Sequence, residues 1–259
     1  MAKEVTKENA IKQLVDRERK LLPRIGTRKI HHLIKEDLET QALKFGRDKL
    51  FRLMQKYRLL IQPQRRYIQT TMSKHWLRKW PNIIKGLKVD EPDQVWMSDI
   101  TYIKTEEGTC YLNMITDAYS RKIVGYAIAD NMETESMIPA LRMAAKQKQN
   151  KHISTIHHSD RGLQYCSKEY ASLINENKMQ LSMTQNSDPY ENALAERMNR
   201  TIKEEFGMNR SLKSKSQLIK LVTESVSLYN NYRPHLALKM KTPQEVYQTK
   251  NPDYQRQSG

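Results

Sequence analysis

The spacing of apolar residues divides the chain into two parts that differ in predicted secondary structure. In the first 60 residues, apolar side chains recur every three or four positions, which is typical of amphipathic helices. The pattern predicts helices at about Lys7–Leu22, Thr27–Leu38 and Arg47–Tyr57, with Pro23 and Gly26 separating the first two. Short helices with a basic last member suggest a small all-α helix-turn-helix domain whose final helix enters the DNA major groove. A plain three-helix bundle with a solvated basic face is the alternative interpretation.

From residue 95 onward, β-forming residues occur first in consecutive runs and then in alternation with helical segments. The predicted strands are Val95–Lys104, Cys110–Asp117, Ile123–Ala129, Thr155–Ser159 and Gln180–Met183, and the predicted helices are Thr134–Gln149, Lys168–Asn177, one from Pro189 to Gly207, and Ser216–Asn230. This order is that of a ribonuclease-H-like α/β fold with a mixed five-stranded sheet and helices. We therefore expect a helical DNA-binding domain at 1–61, a basic linker at 62–92, a ribonuclease-H-like core at 93–210, and a C-terminal helix and tail at 211–259 that pack on the core.

The formal net charge of +16 is concentrated in the N-terminal third. The first 90 residues hold 23 Lys and Arg against 9 Asp and Glu, whereas the rest of the chain holds 22 against 20. Between Lys49 and Val89 there are eleven basic residues and no acidic one, with Tyr67, Trp76 and Trp80 among them. A charge run is usually a solvated face, but the interleaved aromatic residues favour a polyanionic partner whose binding depends on salt.

Several classes of protein are not supported by the sequence. No apolar run approaches the roughly 18 residues that a membrane helix needs, and the N-terminus has no apolar signal segment, so we expect no membrane partner. The two cysteines, Cys110 and Cys166, support neither a disulfide framework nor a cysteine zinc site. None of the eight glycines forms a phosphate-binding or dinucleotide-binding loop, and no serine nucleophile elbow occurs.

Three acidic residues lie where a carboxylate needs a structural or chemical reason. Asp99 is in the middle of the first predicted strand, where an acid is costly unless it is paired or bound to a metal. Asp160 ends the fourth predicted strand, and sites in α/β sheets open at strand ends. Glu196 lies on the helix that is predicted to begin at Pro189.

The helix that carries Glu196 has a start signal, in which Asp188, Pro189 and Glu191 form a capping-box arrangement. Its apolar stripe is predicted to face the sheet and its polar side chains to lie on the opposite side. The stripe consists of Leu194, Met198, Ile202 and Phe206, and the polar side consists of Asn192, Glu196, Asn199, Arg200 and Lys203. On helix geometry alone, Glu196 is better explained as a surface pair with Arg200, which stabilises a helix by roughly a few tenths of a kcal/mol.

Three carboxylates are also the ligand set that metal-assisted phosphoryl transfer needs. Their hard oxygen atoms suit Mg²⁺ or Mn²⁺, and two such ions roughly 3.5–4 Å apart activate the attacking oxygen and stabilise the leaving one. Because the chain has 29 acidic residues, the spacing of these three is weak evidence until the surrounding motifs are considered.

Four motifs occur in order around these residues. They are Trp96-x-x-Asp99-Ile-Thr-Tyr, His158-Ser-Asp160-Arg-Gly162-x-Gln-Tyr165, Asn192-Ala-x-Ala-Glu196 with Lys203 downstream, and Tyr229-Asn-x-x-Arg233-Pro-His235 followed by Thr242-Pro243. Together they resemble the bacterial transposases of the insertion-sequence-three family, whose catalytic cores resemble retroviral integrases. The resemblance extends from about residue 24 to residue 248, because residues 25–60 are similar to that family's short helix-turn-helix segment.

The resemblance implies that Asp99, Asp160 and Glu196 are the catalytic, metal-binding D-D-E residues and hold two Mg²⁺ or Mn²⁺ ions per active site. It implies a DNA transposase that cleaves phosphodiesters at insertion-sequence ends and joins them by 3′-hydroxyl attack. The expected partners are double-stranded DNA (terminal inverted repeats and target DNA) and further copies of the chain on that DNA. The family's catalytic chain is often the second of two reading frames, so the upstream-frame protein or its frameshift fusion is another expected partner. A cytoplasmic, nucleoid-associated location follows.

Basic and amide side chains are expected to contact the DNA. The expected contact residues are Arg47, Lys49, Arg52, Lys56, Arg65, Arg66, Arg78, Lys79, Asn192, Arg200 and Lys203. His158 is expected beside the site, and Arg233 with His235 is expected to fix the C-terminal segment against the core. Two other functions stay open: a ribonuclease-H-like nuclease that cuts without joining, and a DNA-binding regulator that keeps the fold without catalysis.

Overall fold

The structure is a computed structural model that describes residues 2–62, 80–185, 192–208 and 212–249. Its elements, in chain order, are helices α1 Ala2–Leu21, α2 Thr27–Leu33, α3 Lys35–Thr40 and α4 Arg47–Lys56, strands β1 Val95–Thr105, β2 Gly108–Asp117 and β3 Ile123–Ala129, helix α5 Thr134–Gln147, strand β4 Ile156–Ser159, helix α6 Lys168–Glu176, strand β5 Gln180–Met183, and helices α7 Ala193–Glu205, α8 Lys215–Asn231 and α9 Pro243–Gln248. Short 3₁₀ turns occur at Leu163–Cys166 and Leu236–Leu238.

The five strands form one mixed sheet in the order β3-β2-β1-β4-β5. The pairs β1–β2 and β2–β3 are antiparallel, and the pairs β1–β4 and β4–β5 are parallel. This topology confirms the predicted ribonuclease-H-like core, and the strand positions differ from the predictions by at most two residues at either end. Strand β1 is central, with Val95–Ser98 buried and Asp99 half-buried.

Two hydrophobic layers cover the two faces of the sheet. On one face, α5 and α6 pack over a cluster that includes Trp96 and Val124. The approach of α5 to β3 is close, because a Cβ atom on Gly125 would lie 2.1 Å from the carbonyl oxygen of Ala140. The other face of the sheet carries α7 and α8. Buried Ile202 of α7 and Val222 of α8 belong to the second hydrophobic cluster, which covers this face.

The N-terminal helices pack against the same cluster as α7 and α8. Buried Ile11, Ile30 and Met54 belong to one continuous hydrophobic cluster with Ile202 and Tyr229. The single helix predicted over Thr27–Leu38 was wrong in one respect, because it is two helices with Ile34 between them at φ −90° and ψ 5°. Apolar spacing continues unbroken through this kink, so periodicity did not reveal it.

A buried ion cluster connects these helices to α7 and to the C-terminal segment. The two carboxylate oxygens of Glu205, at the end of α7, accept hydrogen bonds of 2.6 Å from Arg233 Nε and Nη2. Lys29 Nζ on α2 lies 3.4 Å from the same carboxylate, and the backbone amide of Arg24 donates to the Glu205 carbonyl at 3.2 Å. Arg233 therefore fixes the C-terminal segment as predicted, through a partner that sequence analysis did not identify.

Part of the expected linker lies against the core. The Ile83 amide donates to Ser182 Oγ at 3.1 Å, and the Met183 amide donates to the Pro81 carbonyl at 3.3 Å. Within the described ranges, no helix is long and apolar enough to span a membrane. Both cysteines are free thiols and are buried, so they form no disulfide.

Candidate active site

The pairing register of β1 and β4 places Asp99 and Asp160 side by side. Met97 pairs with His158 in this parallel ladder, and each aspartate lies two residues further along its strand direction. Since side chains two residues apart on a strand point to the same face, Asp99 lies on the face that carries Met97. Asp160 follows the last residue of β4 at the carboxyl end of the strand, where sites in α/β sheets open.

The carboxylate of Asp99 is held by two hydrogen bonds. Its Oδ1 accepts from the backbone amide of Ile100 at 2.9 Å, and its Oδ2 accepts from Asn199 Nδ2 at 2.8 Å. Burial, followed by the negative charge of Asp160, raises the pKa of Asp99 to about 7, although the hydrogen bond from Asn199 acts in the opposite direction. The charge of Asp160 therefore disfavours ionisation of the neighbouring Asp99, and binding of a cation would relieve this repulsion.

Helix α7 supplies the third carboxylate. The structure begins this helix at Ala193, with Asn192 as its N-cap and no side-chain cap hydrogen bond. The predicted start at Pro189, with Asp188 and Glu191, lies outside the described residues. At the other end the helix stops at Glu205, and Gly207 has a φ of +76°, which agrees with the predicted glycine stop.

The predicted orientation of α7 was partly wrong. The apolar stripe of Met198, Ile202 and Phe206 is buried as expected, but Asn199 and Lys203 also face the sheet. Asn199 is 6% exposed and contacts Asp99. These polar positions lie only about a quarter turn from the apolar stripe on a 3.6-residue helix, so the sheet contacts both.

Lys203 is bound to strand β1 one turn beyond Asn199. Its Nζ donates to Thr101 Oγ1 at 3.1 Å and to the Tyr102 carbonyl at 2.8 Å, and it lies 4.8 Å from the centroid of the Tyr102 ring. Burial lowers the pKa of Lys203. At the start of the helix, the buried Asn192 donates to the Ser98 carbonyl at 3.4 Å, so Asn192, Asn199 and Lys203 all bind β1.

Glu196 lies in the first turn of α7 and is exposed to solvent. Partial burial raises its pKa, Arg200 lowers it, and the charge of Asp160 raises it again, which places Glu196 within electrostatic range of both residues. Among the described residues, no three His, Cys, Asp or Glu side chains are close enough to hold one metal ion. In this conformation the three carboxylates are within electrostatic range of one another without forming a set that could hold one metal ion.

A buried hydrogen-bond network supports the strand beneath Asp99. The Tyr165 hydroxyl lies 2.8 Å from Ser98 Oγ and 3.2 Å from Asn113 Oδ1, and Ser98 Oγ donates to the same Asn113 oxygen at 3.1 Å. Sequence analysis missed this network, because Asn113 is in none of the motifs. It joins β2 to the Gly162–Tyr165 turn and so fixes the backbone on both sides of the aspartates.

The two histidines that precede Asp160 are buried inside the sheet. His158 Nδ1 lies 2.8 Å from Ser182 Oγ on β5. His157 Nε2 lies 3.1 Å from the Tyr170 hydroxyl, and burial lowers the pKa of His157 to about 3. His158 is therefore two residues before Asp160 in the sequence, but its ring contacts Ser182 on the neighbouring strand β5.

The expected DNA-contact residues occupy different environments. On α4, Lys49 and Arg52 are exposed, Arg47 lies 3.1 Å from Asp48, and Lys56 lies 2.7 Å from Glu8. Arg200 is exposed on α7, whereas Asn192 and Lys203 bind β1 as described above. Arg65, Arg66, Arg78 and Lys79 lie outside the described residues.

Comparison with known proteins agrees with this architecture. Two models described as "Integrase core domain" match residues 89–189 and 177–243. The "Insertion element IS600 uncharacterized 31 kDa protein" of Shigella sonnei is 34% identical over 82% of this chain and 77% of that protein. The "Transposase for insertion sequence element IS904" of Lactococcus lactis is 32% identical over 66% of this chain and 70% of that protein.

The fold is also that of a solved integrase assembly. The simian T-cell lymphotropic virus intasome in complex with PP2A regulatory subunit B56 gamma aligns with a TM-score of 0.54, over 88% of this chain and 76% of that chain, at 14% identity. "Transposase InsF for insertion sequence IS3A" of Escherichia coli is 27% identical over 77% of this chain and 70% of that protein. The chain therefore belongs to the insertion-sequence-three family of DNA transposases, which carry an integrase core domain.

Proposed function

We propose that Asp99, Asp160 and Glu196 form the catalytic site of a metal-dependent polynucleotidyl transferase that cleaves insertion-sequence ends and joins them to target DNA. The neighbouring positions of Asp99 and Asp160 on paired strands, and the effect of the Asp160 charge on Asp99, carry this proposal. Burial and, after it, the charge of Asp160 raise the pKa of Asp99 to about 7, and a bound divalent cation would favour the ionised form of both carboxylates.

The residues present suit Mg²⁺ or Mn²⁺. Asp99 and Asp160 offer hard oxygen ligands from two adjacent strands, and Glu196 offers a third from the exposed first turn of α7. We propose that Glu196 rotates toward the two aspartates when the ions and the DNA bind, and that the site holds two ions. When bound, such ions activate the attacking oxygen and stabilise the leaving oxygen of an in-line displacement.

The chain's own side chains position these ligands and the DNA. Asn199 fixes the orientation of the Asp99 carboxylate by donating to Oδ2, so one carboxylate face stays directed toward the site. Lys203, held at Thr101 and Tyr102, places a positive charge along β1 beside the expected path of the DNA phosphates. Arg200, exposed one turn after Glu196, supplies a second cation on the same side.

The reaction that this arrangement supports is a transesterification. The 3′-hydroxyl of the cleaved element end attacks a target phosphorus, its proton leaves to solvent or base, and the target's own 3′-oxygen departs as the P–O bond breaks. Because two element ends must be joined, we propose that the chain acts as a homo-oligomer on double-stranded DNA, in the bacterial cytoplasm. We also propose that the upstream-frame protein or its fusion takes part.

A strand-transfer assay tests this proposal. The purified chain is incubated with a labelled duplex that carries its own element end, with Mg²⁺ or Mn²⁺, beside the Asp160→Asn and Glu196→Gln variants. Asp130→Asn is the matched control, since Asp130 is exposed and pairs with Lys215 far from the site. We expect joined products from the wild type and the control only.

The other outcomes separate the competing functions. Cleaved ends without joined products would identify a nuclease. DNA binding without any product, under every divalent ion and with the upstream-frame protein added, would identify a regulator. Strand transfer that survives in both active-site variants would refute the assignment of the three carboxylates.

A further inference from the structure

A basic groove lies between the turn that follows β2 and the loop that follows the Leu236–Leu238 turn. It encloses about 560 Å³ and is lined by three cationic side chains, Arg121, Lys239 and Lys241, together with Tyr119. Its remaining lining residues are apolar or uncharged, so no described residue that lines it is acidic. Neither the sequence motifs nor the resemblance assigned a role to these cations.

The rim that carries Arg121 is a rigid turn. Buried Asp117 accepts hydrogen bonds from the amide and the hydroxyl of Ser120 at 2.7 and 2.6 Å, and from the Asp93 amide at 2.8 Å. Arg121 itself has a φ of +67°, in the left-handed region. The Asp117 carboxylate is enclosed by these donors and does not line the groove, so the charge that the turn presents there is positive.

The opposite rim is also fixed by backbone hydrogen bonds. The His235 amide donates to the Lys241 carbonyl at 3.0 Å, and the Met240 amide donates to the His235 carbonyl at 2.8 Å. His235 is in turn anchored by the Tyr229 hydroxyl, 2.7 Å from its Nε2. Both rims therefore have a backbone that is fixed before any ligand binds, which lowers the entropic cost of ordering the groove.

The floor of the groove is continuous with the packing around the catalytic helix. Val89 and Ala118 line the groove and belong to the same small hydrophobic cluster as Met97 and Ala195. Met97 lies two residues before Asp99 on β1, and Ala195 directly precedes Glu196 on α7. Burial lowers the pKa of Arg121, and the charge of Arg197, next to Glu196, is close enough to lower it slightly further. The floor of the groove therefore adjoins the first turn of α7, which carries Glu196.

We propose that this groove binds the sugar–phosphate backbone of the duplex DNA that is engaged at the active site. The proposal rests on the proposed function, since it extends the DNA path from the carboxylates to the C-terminal segment. Three cations on two fixed rims, without an acidic lining residue, suit a run of phosphates, because each neutralised phosphate releases counterions. Backbone contacts of this kind position a duplex without reading its sequence.

The test compares two variants that remove the same charge from different surfaces. The groove variant is Arg121→Gln with Lys239→Gln and Lys241→Gln. The matched control replaces the exposed Lys146, Lys151 and Lys168, all on the α5–α6 side of the sheet, with glutamine. Binding to a fluorescent duplex is measured by anisotropy at a series of salt concentrations.

The groove variant is expected to lower the slope of log affinity against log salt by about 0.9 for each phosphate that it no longer neutralises, and to weaken binding about tenfold or more at moderate salt. The control is expected to keep most of the wild-type slope. The double variant Lys239→Gln with Lys241→Gln serves if the triple variant unfolds early, because both lysine side chains belong to an exposed or half-exposed loop.

Equal slopes for the groove variant and the control would overturn the proposal. An unchanged slope with a shift of the groove variant from oligomer to monomer in light scattering would also overturn it, in favour of a protein contact. Failure of the proposed function is recognised separately. In that case the wild type gives no joined product, whereas the groove variant alone still shows the reduced salt slope.

Discussion

Removing the Glu205 carboxylate should destabilise the protein more than any other single loss of charge on α7. Arg233 is 3% exposed and donates two 2.6 Å hydrogen bonds to Glu205, and Lys29 lies 3.4 Å away. Glu205→Ala leaves the Arg233 guanidinium buried without its counter-charge. Breaking a buried pair from one side costs about 3–5 kcal/mol, which is a large part of the 5–15 kcal/mol that is typical of a folded domain.

The assay is urea unfolding followed by far-ultraviolet circular dichroism, with thermal unfolding beside it. We expect a loss of about 3–5 kcal/mol and a fall of roughly 10 °C in the unfolding midpoint. Glu39→Ala is the matched control, since Glu39 is 66% exposed in its pair with Lys35 and should cost under about 0.5 kcal/mol. A double-mutant cycle with Arg233→Ala should give a coupling energy of about 2–3 kcal/mol.

A loss below about 1 kcal/mol for Glu205→Ala, equal to that of the exposed control, would refute the reasoning. It would mean that Arg233 is hydrated rather than buried against α7. The contacts of Lys29 on α2 and of Arg233 in the C-terminal segment with the end of α7 would then be wrong, because both side chains bind this carboxylate.

Three further predictions follow from single positions. Gly125→Ala should cost about 1–3 kcal/mol or more in chemical unfolding, because its Cβ would lie 2.1 Å from the carbonyl oxygen of Ala140; a neutral effect would contradict the close approach of α5 to the sheet. Burial lowers the pKa of His235 to about 3, so the folded state keeps the imidazole neutral while the unfolded state takes up a proton below about pH 6.5. The free energy of unfolding should therefore fall as the pH is lowered from 6.5 toward 3. His235→Gln should reduce the dependence of this free energy on pH, and an equal dependence in the variant would argue against burial of His235. Asn199→Leu should lower the rate of strand transfer about 10-fold or more, with DNA affinity retained, because Asp99 loses the donor that orients its carboxylate. Asn199→Gln, which keeps an amide donor, should restore part of this rate. An unchanged rate in Asn199→Leu would exclude a positioning role for Asn199.

The sheet was predictable from the sequence because its strands follow each other with clear local signals. β-Forming runs and turn residues located all five strands, and motif context identified Asp99 and Asp160 before the register of β1 and β4 was known. The apolar stripe of α7 was also correct, since it depends only on helix periodicity.

The contacts that join distant segments were not predictable in this way. Glu205 meets Lys29 across a separation of 176 residues, and no local pattern distinguishes it from other surface glutamates. Asn199 was assigned to the wrong side of α7 because periodicity gives the direction of the apolar stripe but not the width of the contact with the sheet. Asn113 was missed for a related reason: a buried amide has no sequence signal until its partners on other strands are known.

Binding of Mn²⁺ to the purified chain tests the central claim most directly. Free Mn²⁺ is measured by electron paramagnetic resonance during a titration of the wild type, Asp160→Asn, Asp99→Asn and the control Asp130→Asn. We expect saturable binding to the wild type and to the control, and a loss of about tenfold or more in affinity for each of the other two variants, because each removes a charged ligand from the pair. Equal Mn²⁺ binding by all four proteins would contradict the assignment of Asp99 and Asp160 as metal ligands.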